Sequence, residues 1–230
     1  MFEDIAPVYD LVKSHRDYAA EADVIRRLIQ GHASQTKTVC EVACGTGTLL
    51  AQLQEYERVG VDASDPMLTL ARKKLGDTAT LVHGKMQDFQ LPRPGVDVLL
   101  LLDGALGYAG PAELEPTLST FARHLVDGGL LVVEPWYTPD EWKPKKVHVT
   151  HHADGVVTVV RVGYGHPDGR IDFASVIGTS AGLRTFDERY DFTLHTADAM
   201  AAAFTAAGFI DVRKEAAPEF RRGLFVARKE

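Results

Sequence analysis

The chain has 230 residues, 45% hydrophobic and 25% charged, with a net charge of −7 at pH 7. That length suits one α/β domain with an insertion, large enough to bury its own core without staples. The acidic balance disfavours a nucleic-acid partner, which needs a basic face. Two cysteines set close together, Cys40 and Cys44, make neither a disulfide scaffold nor a zinc site.

Residues 17–30 place Ala20, Val24, Ile25, Leu28 and Ile29 at helical spacing, with Gly31 as the stop. Residues 38–43 read as a short apolar strand, 45–47 as a turn and 48–56 as a helix. A second strand, 58–61, is closed by Asp62, and Asp65 with Pro66 starts a helix running to about Leu75 as N-cap and first-turn proline. A strand at 80–83, a Pro-rich loop at 91–95 and a strand at 96–102 follow. The last of these is apolar on both faces, as a central parallel strand should be. A helix at 112–125, a turn at Asp127-Gly128-Gly129 and a strand at 130–134 complete the series. Strand and helix alternate as parallel pairing requires, so the expected fold is α/β, a Rossmann-like, mostly parallel sheet.

After residue 146 the rhythm changes. Four alternating strands are expected at 147–151, 156–162, 171–177 and 184–192, with turn signals at Asp154-Gly155, Pro167-Asp168-Gly169 and Ala181-Gly182. They predict an inserted antiparallel β-sheet. A helix at 196–207 and strands at 209–214 and 224–228 close the chain. The expected organisation is a core with an N-terminal helical cap over 1–137, the insertion over 138–195, and closing elements over 196–230. The start lacks a basic segment followed by an apolar one, and the longest apolar run, 96–102, is interrupted by Asp97 and too short to span a bilayer. A cytoplasmic location without a membrane partner is expected.

The chemistry gathers around Glu41-Val42-Ala43-Cys44-Gly45-Thr46-Gly47, which follows the first core strand. Glycines there allow a tight turn and close backbone approach to a ligand. A pyrophosphate loop would carry a third glycine where Leu50 stands, and Glu41 repels phosphate but suits a cationic ligand. Asp62 ends the next strand, where a carboxylate can accept both hydroxyls of a ribose.

These residues resemble the class I S-adenosylmethionine (SAM)-dependent methyltransferases. Glu41 to Gly47 matches the first motif of that family, Asp62 the second, and His83-Gly84-Lys85-Met86-Gln87-Asp88-Phe89 the third; Asp127 to Glu134 matches a later turn and strand. The resemblance implies SAM as cofactor, with S-adenosylhomocysteine (SAH) as product. It implies cofactor contacts at Glu41, Ala43, Gly45, Gly47, Asp62, Ala63, Met67 and Met86, with Ser64 flanking. It further implies that the N-terminal stretch folds over the site, bringing Tyr9, with Tyr18 as a second candidate. One departure stands out: Lys85 replaces the acidic residue that often reaches the adenine amino group, leaving the Met86 backbone or Asp88 as substitutes. Asp88 and Met86 are therefore marked for inspection.

The segment Val132-Val133-Glu134-Pro135-Trp136-Tyr137, the insert after it, and Arg222-Gly223-Leu224-Phe225-Val226 resemble the nucleotide-diphospho-aminosugar N,N-dimethyltransferases of antibiotic-sugar pathways. That resemblance implies a small-molecule acceptor, a sugar nucleotide, and puts His124 where the group carries an active-site histidine. His124 is the first candidate for taking the amine proton, histidine being suited to that role near neutral pH. Asp103 follows the fourth strand at the sheet edge where ligands bind, and is the second catalytic candidate. It stands where the group has a Ser-Ser pair, so a different acceptor is compatible too. Tyr108 and Trp136 are candidate walls for the acceptor; Arg221, Arg222, Lys143, Lys145 and Lys146 are candidate partners for phosphate. His148, His151, His152 and His195 are not expected to bind metal, since neighbours such as His151 and His152 on a strand face opposite ways. An O- or C-methyltransferase, a non-catalytic SAM-binding protein and an NAD-dependent oxidoreductase remain as alternatives, the last opposed by Glu41 and the missing third glycine. A homodimer is compatible with the sequence.

Overall fold

Leu99, Leu100 and Leu101 have no exposed surface, so their strand must lie inside a sheet covered on both faces. The computed structural model describes residues 4–32, 35–93 and 95–230. The start of the expected N-terminal stretch, Phe2, and Pro94 of the Pro-rich loop lie outside the described residues. Five strands come first: β1 (Thr38–Val42), β2 (Glu57–Asp62), β3 (Ala79–His83), β4 (Val96–Leu101) and β5 (Leu125–Val133). The insert supplies β6 (Val147–Ala153), β7 (Thr158–Gly165), β8 (Ile171–Thr179) and β9 (Gly182–Tyr190), and the chain closes with β10 (Phe209–Ala217) and β11 (Phe220–Lys229). The main sheet has the order β10-β11-β5-β4-β1-β2-β3, and the insert forms a separate sheet in the order β6-β7-β8-β9. β1 to β5 run parallel, while β11 joins β5 antiparallel. All insert pairings are antiparallel. The sheet grows one way from β1 to β2 and the other way to β4. That reversal opens a crevice at the carboxyl ends of the strands.

The helices are α1 (Tyr9–Val12), α2 (Tyr18–His32), α3 (Asp65–Leu75), α4 (Leu114–His124) and α5 (Ala197–Ala206). α4 and α5 cover one sheet face with Leu118, Phe121 and Phe204, and α2 covers the other with Ile25, Leu28 and Ile29. Val159 and Ile177 of the insert pack with Ile5, Val8, Val12 and Met67, so the insert, the N-terminal cap and α3 share one apolar cluster. No described helix is long and apolar enough to cross a membrane.

Four local expectations change. α2 continues through Gly31 to His32. The cap of α3 is Ser64, whose hydroxyl accepts the Met67 N–H at 3.4 Å, with Asp65 already helical. β5 begins at Leu125, so Asp127-Gly128-Gly129 falls inside it, with a register irregularity opposite Val96 and Val98. The helix expected at 48–56 shrinks to one 3₁₀ turn at Leu50–Gln52. Its carbonyls are captured from outside: Arg58 donates to Leu50 O at 3.2 Å and Arg26 donates to Gln52 O. A carbonyl held that way is not left for the next helical turn.

Candidate active site

A cavity of about 820 Å³ opens where β1, β2 and β4 end. Its floor starts at Ala43, which takes a left-handed φ of +56°, followed by Gly45 at +55°. Cys44 N–H donates to Val61 O at 3.0 Å, which holds this turn against β2. A Cβ on Gly45 would stand 3.7 Å from the Tyr9 ring, so the bare backbone faces the roof of the cavity. Gly47 behaves differently and does not line it. A Cβ there would lie 2.7 Å from Leu75 Cδ1; this glycine serves the packing of α3, not the ligand.

Glu41 lies near the end of β1, only 7% exposed. Its Oε2 has no hydrogen-bond partner. Burial pushes its carboxyl up to about 8, with Arg16 pulling the other way. An orphaned buried oxygen at a cavity wall costs free energy until a donor reaches it. Asp62, at the end of β2, accepts the Gly45 N–H on Oδ2 and the Ser64 N–H on Oδ1, both at 2.8 Å. Burial raises its carboxyl and these hydrogen bonds work against the rise. They also fix its orientation, leaving a further lone pair on each oxygen for a hydroxyl. Ala63, Ser64 and Met67 continue the wall, and Met86 and Lys85 close it beyond β3. Asp88 does not line the cavity, which leaves Met86 of the two expected substitutes.

The roof comes from the N-terminal cap: Tyr9, Lys13, Arg16 and Tyr18. Arg16 makes a two-pronged pair with Glu21, at 2.8 and 2.6 Å, and its guanidinium lies 4.6 Å from the Tyr18 ring centre. It also reaches Asp103 at 3.4 Å. Asp103 sits just past β4 with a left-handed φ of +56°, a conformation that costs a non-glycine residue about 1 kcal/mol or more. Its N–H donates to Glu134 Oε2 at 2.8 Å, and its carboxylate pairs with Lys13 at 2.5 Å and lies 3.8 Å from Arg222. Burial pushes this carboxyl up, but Lys13, Arg16 and Arg222 outweigh it and hold the group below its ordinary value. The side chain nonetheless keeps 36% of its surface open toward the cavity. Behind it, Glu134 is buried and raised by that burial, against the pull of Arg222 at 2.8 Å.

The far end of the cavity is aromatic. Trp136 stacks on Phe192 at 4.1 Å between centroids, and Tyr108 lies 4.7 Å from the same ring. The insert adds Arg161, paired with Glu188 at 2.7 Å and lying over the Phe173 ring at 3.9 Å, together with Tyr190.

The structure therefore brings together Tyr9, Tyr18, Glu41, Ala43, Gly45, Asp62, Ala63, Met67, Met86, Asp103, Tyr108 and Trp136 around one cavity. It leaves out His124, Gly47, Arg221 and Arg222. His124 is buried in the core beneath Phe89, stacked at 4.4 Å, with Nδ1 at 2.8 Å from Thr120 O and Nε2 accepting the Leu91 N–H at 3.4 Å. The last turn of α4 aims it away from the crevice. Arg221 is exposed, whereas Arg222 supports the wall from behind, 4.9 Å from the Trp136 ring. Lys143, Lys145 and Lys146 are exposed and outside the cavity. Among the described residues no group of three His, Cys, Asp or Glu could hold a metal ion. Lys13, Arg16, Arg161, Tyr190 and Phe192 line the cavity without having been singled out. For Arg161 a signal existed: a lone arginine inside the apolar run 156–162, a setting that demands a partner.

Residues 39–129 match the family described as Methyltransferase domain. Over 236 aligned residues the chain is 38% identical to dTDP-3-amino-3,4,6-trideoxy-alpha-D-glucopyranose N,N-dimethyltransferase of Streptomyces venezuelae, covering 98% of each protein. The chain is a class I SAM-dependent methyltransferase of the aminosugar N,N-dimethyltransferase family. Solved structures agree. Streptomyces venezuelae DesVI superposes with a TM-score of 0.91 at 35% identity, covering 98% of both chains. The SAM-bound amino pentose methyltransferase CalS10 of Micromonospora echinaspora, involved in calicheamicin biosynthesis, does so at 0.83 and 28% identity, covering 94% of this chain and 92% of that one. The insert of this methyltransferase thus lies within the shared length. SAM is its methyl donor, and the unpartnered Glu41 oxygen together with the oriented Asp62 carboxylate fits the cationic and ribose portions of such a donor.

Proposed function

We propose that this methyltransferase moves methyl groups from SAM to the amino group of a dTDP-linked aminosugar, giving the N,N-dimethyl product in natural-product biosynthesis. The observation that carries this reading is the insert. It supplies the acceptor-side wall of the cavity through Arg161 and Tyr190, and the likeness to the Streptomyces venezuelae dimethyltransferase extends across it.

Bound SAM supplies an electrophilic methyl on a sulfonium. The protein's part is placement and proton handling. Glu41 receives the ammonium of the donor, Arg16 its carboxylate, and Asp62 the ribose hydroxyls, while Ala63, Met67 and Met86 flank the nucleoside and Tyr9 closes over it. Tyr108, Trp136 and Phe192 hold the sugar ring so that its nitrogen lines up with the methyl. Such positioning lowers a barrier by up to about 7–11 kcal/mol in ideal cases. The nitrogen reacts only when unprotonated. Asp103, kept ionised by Lys13 and Arg16, accepts an N–H from the amine and orients its lone pair. His124 takes no part in this, since its ring nitrogens face Thr120 and Leu91.

Incubation of the purified protein with SAM and a panel of acceptors tests the proposal. Mass spectrometry should show dTDP-3-amino-3,4,6-trideoxyglucose gaining one and then two methyl groups, with phenolic and carboxylic acceptors unchanged. Methylation confined to the latter would overturn it. Asp62→Ala checks the donor's placement separately: SAH binding should weaken markedly, and unaltered affinity would remove Asp62 from the ribose.

A further inference from the structure

The insert sheet has two faces, because successive residues of a strand point opposite ways. One face turns inward with Val159, Arg161, Ser175, Glu188 and Tyr190 buried. On the other, Val147 is 60% exposed, Val149 64%, Val162 42%, Tyr164 36% and Val176 37%. The register sets these side by side: Val147 opposite Tyr164, Val149 opposite Val162, and Val176 opposite Val160. A soluble monomer seldom shows a contiguous apolar patch larger than a few hundred Å² without a use for it.

The charges at the two edges of this sheet have opposite signs. Lys145 and Lys146 lead into β6, exposed and without an ion pair among the described residues. Asp187 of β9, opposite Ala174 on the outer face, is likewise exposed and forms no ion pair among the described residues. Arg189 beside it is matched by Asp191 at 2.8 Å.

We propose that this outer face is the contact between two copies of the chain, packed sheet on sheet about a two-fold axis parallel to the strands. Such an axis reverses strand order across the interface. The valine patch then meets itself, as a self-complementary contact must, and β9 of one copy lies over β6 of the other. The partner's Asp187 comes to the side where Lys145 and Lys146 stand. An anionic membrane is a poorer occupant, since Asp172 and Asp187 share this face with a single, already paired Arg189. The contact also bears on function, because β7, β8 and β9 carry Arg161, Ser175 and Glu188 on their inner side, and clamping the sheet stiffens that wall.

Sedimentation velocity on the full chain tests the proposal. The expected species at micromolar concentration has twice the 25.2 kDa chain mass. Val149→Glu with Val162→Glu, both at exposed positions, should sediment as a single chain while keeping its circular dichroism and SAH affinity. Lys145→Glu with Lys146→Glu should loosen the dimer, and adding Asp187→Lys should restore it. A wild-type protein of one chain mass, whether or not it binds anionic vesicles, would overturn the proposal, as would a Val149→Glu/Val162→Glu variant that stays dimeric. Failure of the charge exchange to restore association would overturn the two-fold arrangement.

Discussion

Removal of the carboxylate at Glu41 offers a sharp test of how the donor is held, because proton binding can be followed separately from affinity. In the ligand-free protein burial holds this carboxyl up to about 8 rather than 4.5, a difference worth about 5 kcal/mol between its two protonation states. The sign follows directly. The stabilising contribution of the protonated group is complete below the unfolded value and is lost as pH rises through 8. An ammonium beside Glu41 favours the ionised form, so binding near neutrality must expel close to one proton. Affinity for SAH should then climb about tenfold per pH unit on the acid side and level off near 8. Between about pH 6 and about pH 8.5 the total change is on the order of 50-fold. Isothermal titration calorimetry in phosphate and in Tris measures both quantities, since expelled protons add each buffer's own ionisation heat. Glu41→Gln should bind more weakly above neutrality, with a flattened pH profile and equal heats in the two buffers. A flat profile in the wild type, or an unchanged slope in the variant, would refute the assignment of the ammonium to Glu41.

Other consequences can be checked on the same protein. Asp103→Asn should lower turnover by about 10²-fold while leaving SAH affinity within a factor of a few, as expected for loss of a positioned proton acceptor; steady-state kinetics beside calorimetry separates the two. His124→Asn should leave turnover at low temperature intact but remove the Phe89 stack, destabilising the fold by about 1–2 kcal/mol, which thermal denaturation detects. Lys74→Met should hasten SAH release, because Lys74 ties the cap to the donor loop through Asp10 at 2.8 Å and Thr46 at 3.1 Å. The melting temperature should barely move, since an exposed pair contributes only about 0–1 kcal/mol; stopped-flow displacement of SAH reads the rate.

Much of the donor site was legible because it depends on strand ends. Glu41, Gly45 and Asp62 sit at fixed offsets from two apolar runs, and parallel pairing of those runs leaves them no other place to converge. The acceptor wall was less legible. Arg161 and Tyr190 lie on strands whose alternation is plain, yet alternation does not say which face meets the crevice, and Phe192 follows the last strand. His124 was misplaced although its helix held the answer. Leu114, Thr117, Leu118 and Phe121 are all buried, and the 3.6-residue period that joins them continues to His124. Residue chemistry suggested a base where periodicity indicated a core position. The helix expected at 48–56 failed for a non-local reason, because Arg26 and Arg58 come from elements far away in the chain.

The pleat of the inserted sheet has an evolutionary and practical corollary. Odd-numbered positions such as Arg161 and Ser175 shape the chamber, while their even-numbered neighbours Val160, Val162 and Ala174 look outward. A mutation at one set leaves the other untouched. The range of sugars accepted can therefore drift, or be redesigned at a few inward positions, without disturbing whatever the exterior of the blade meets.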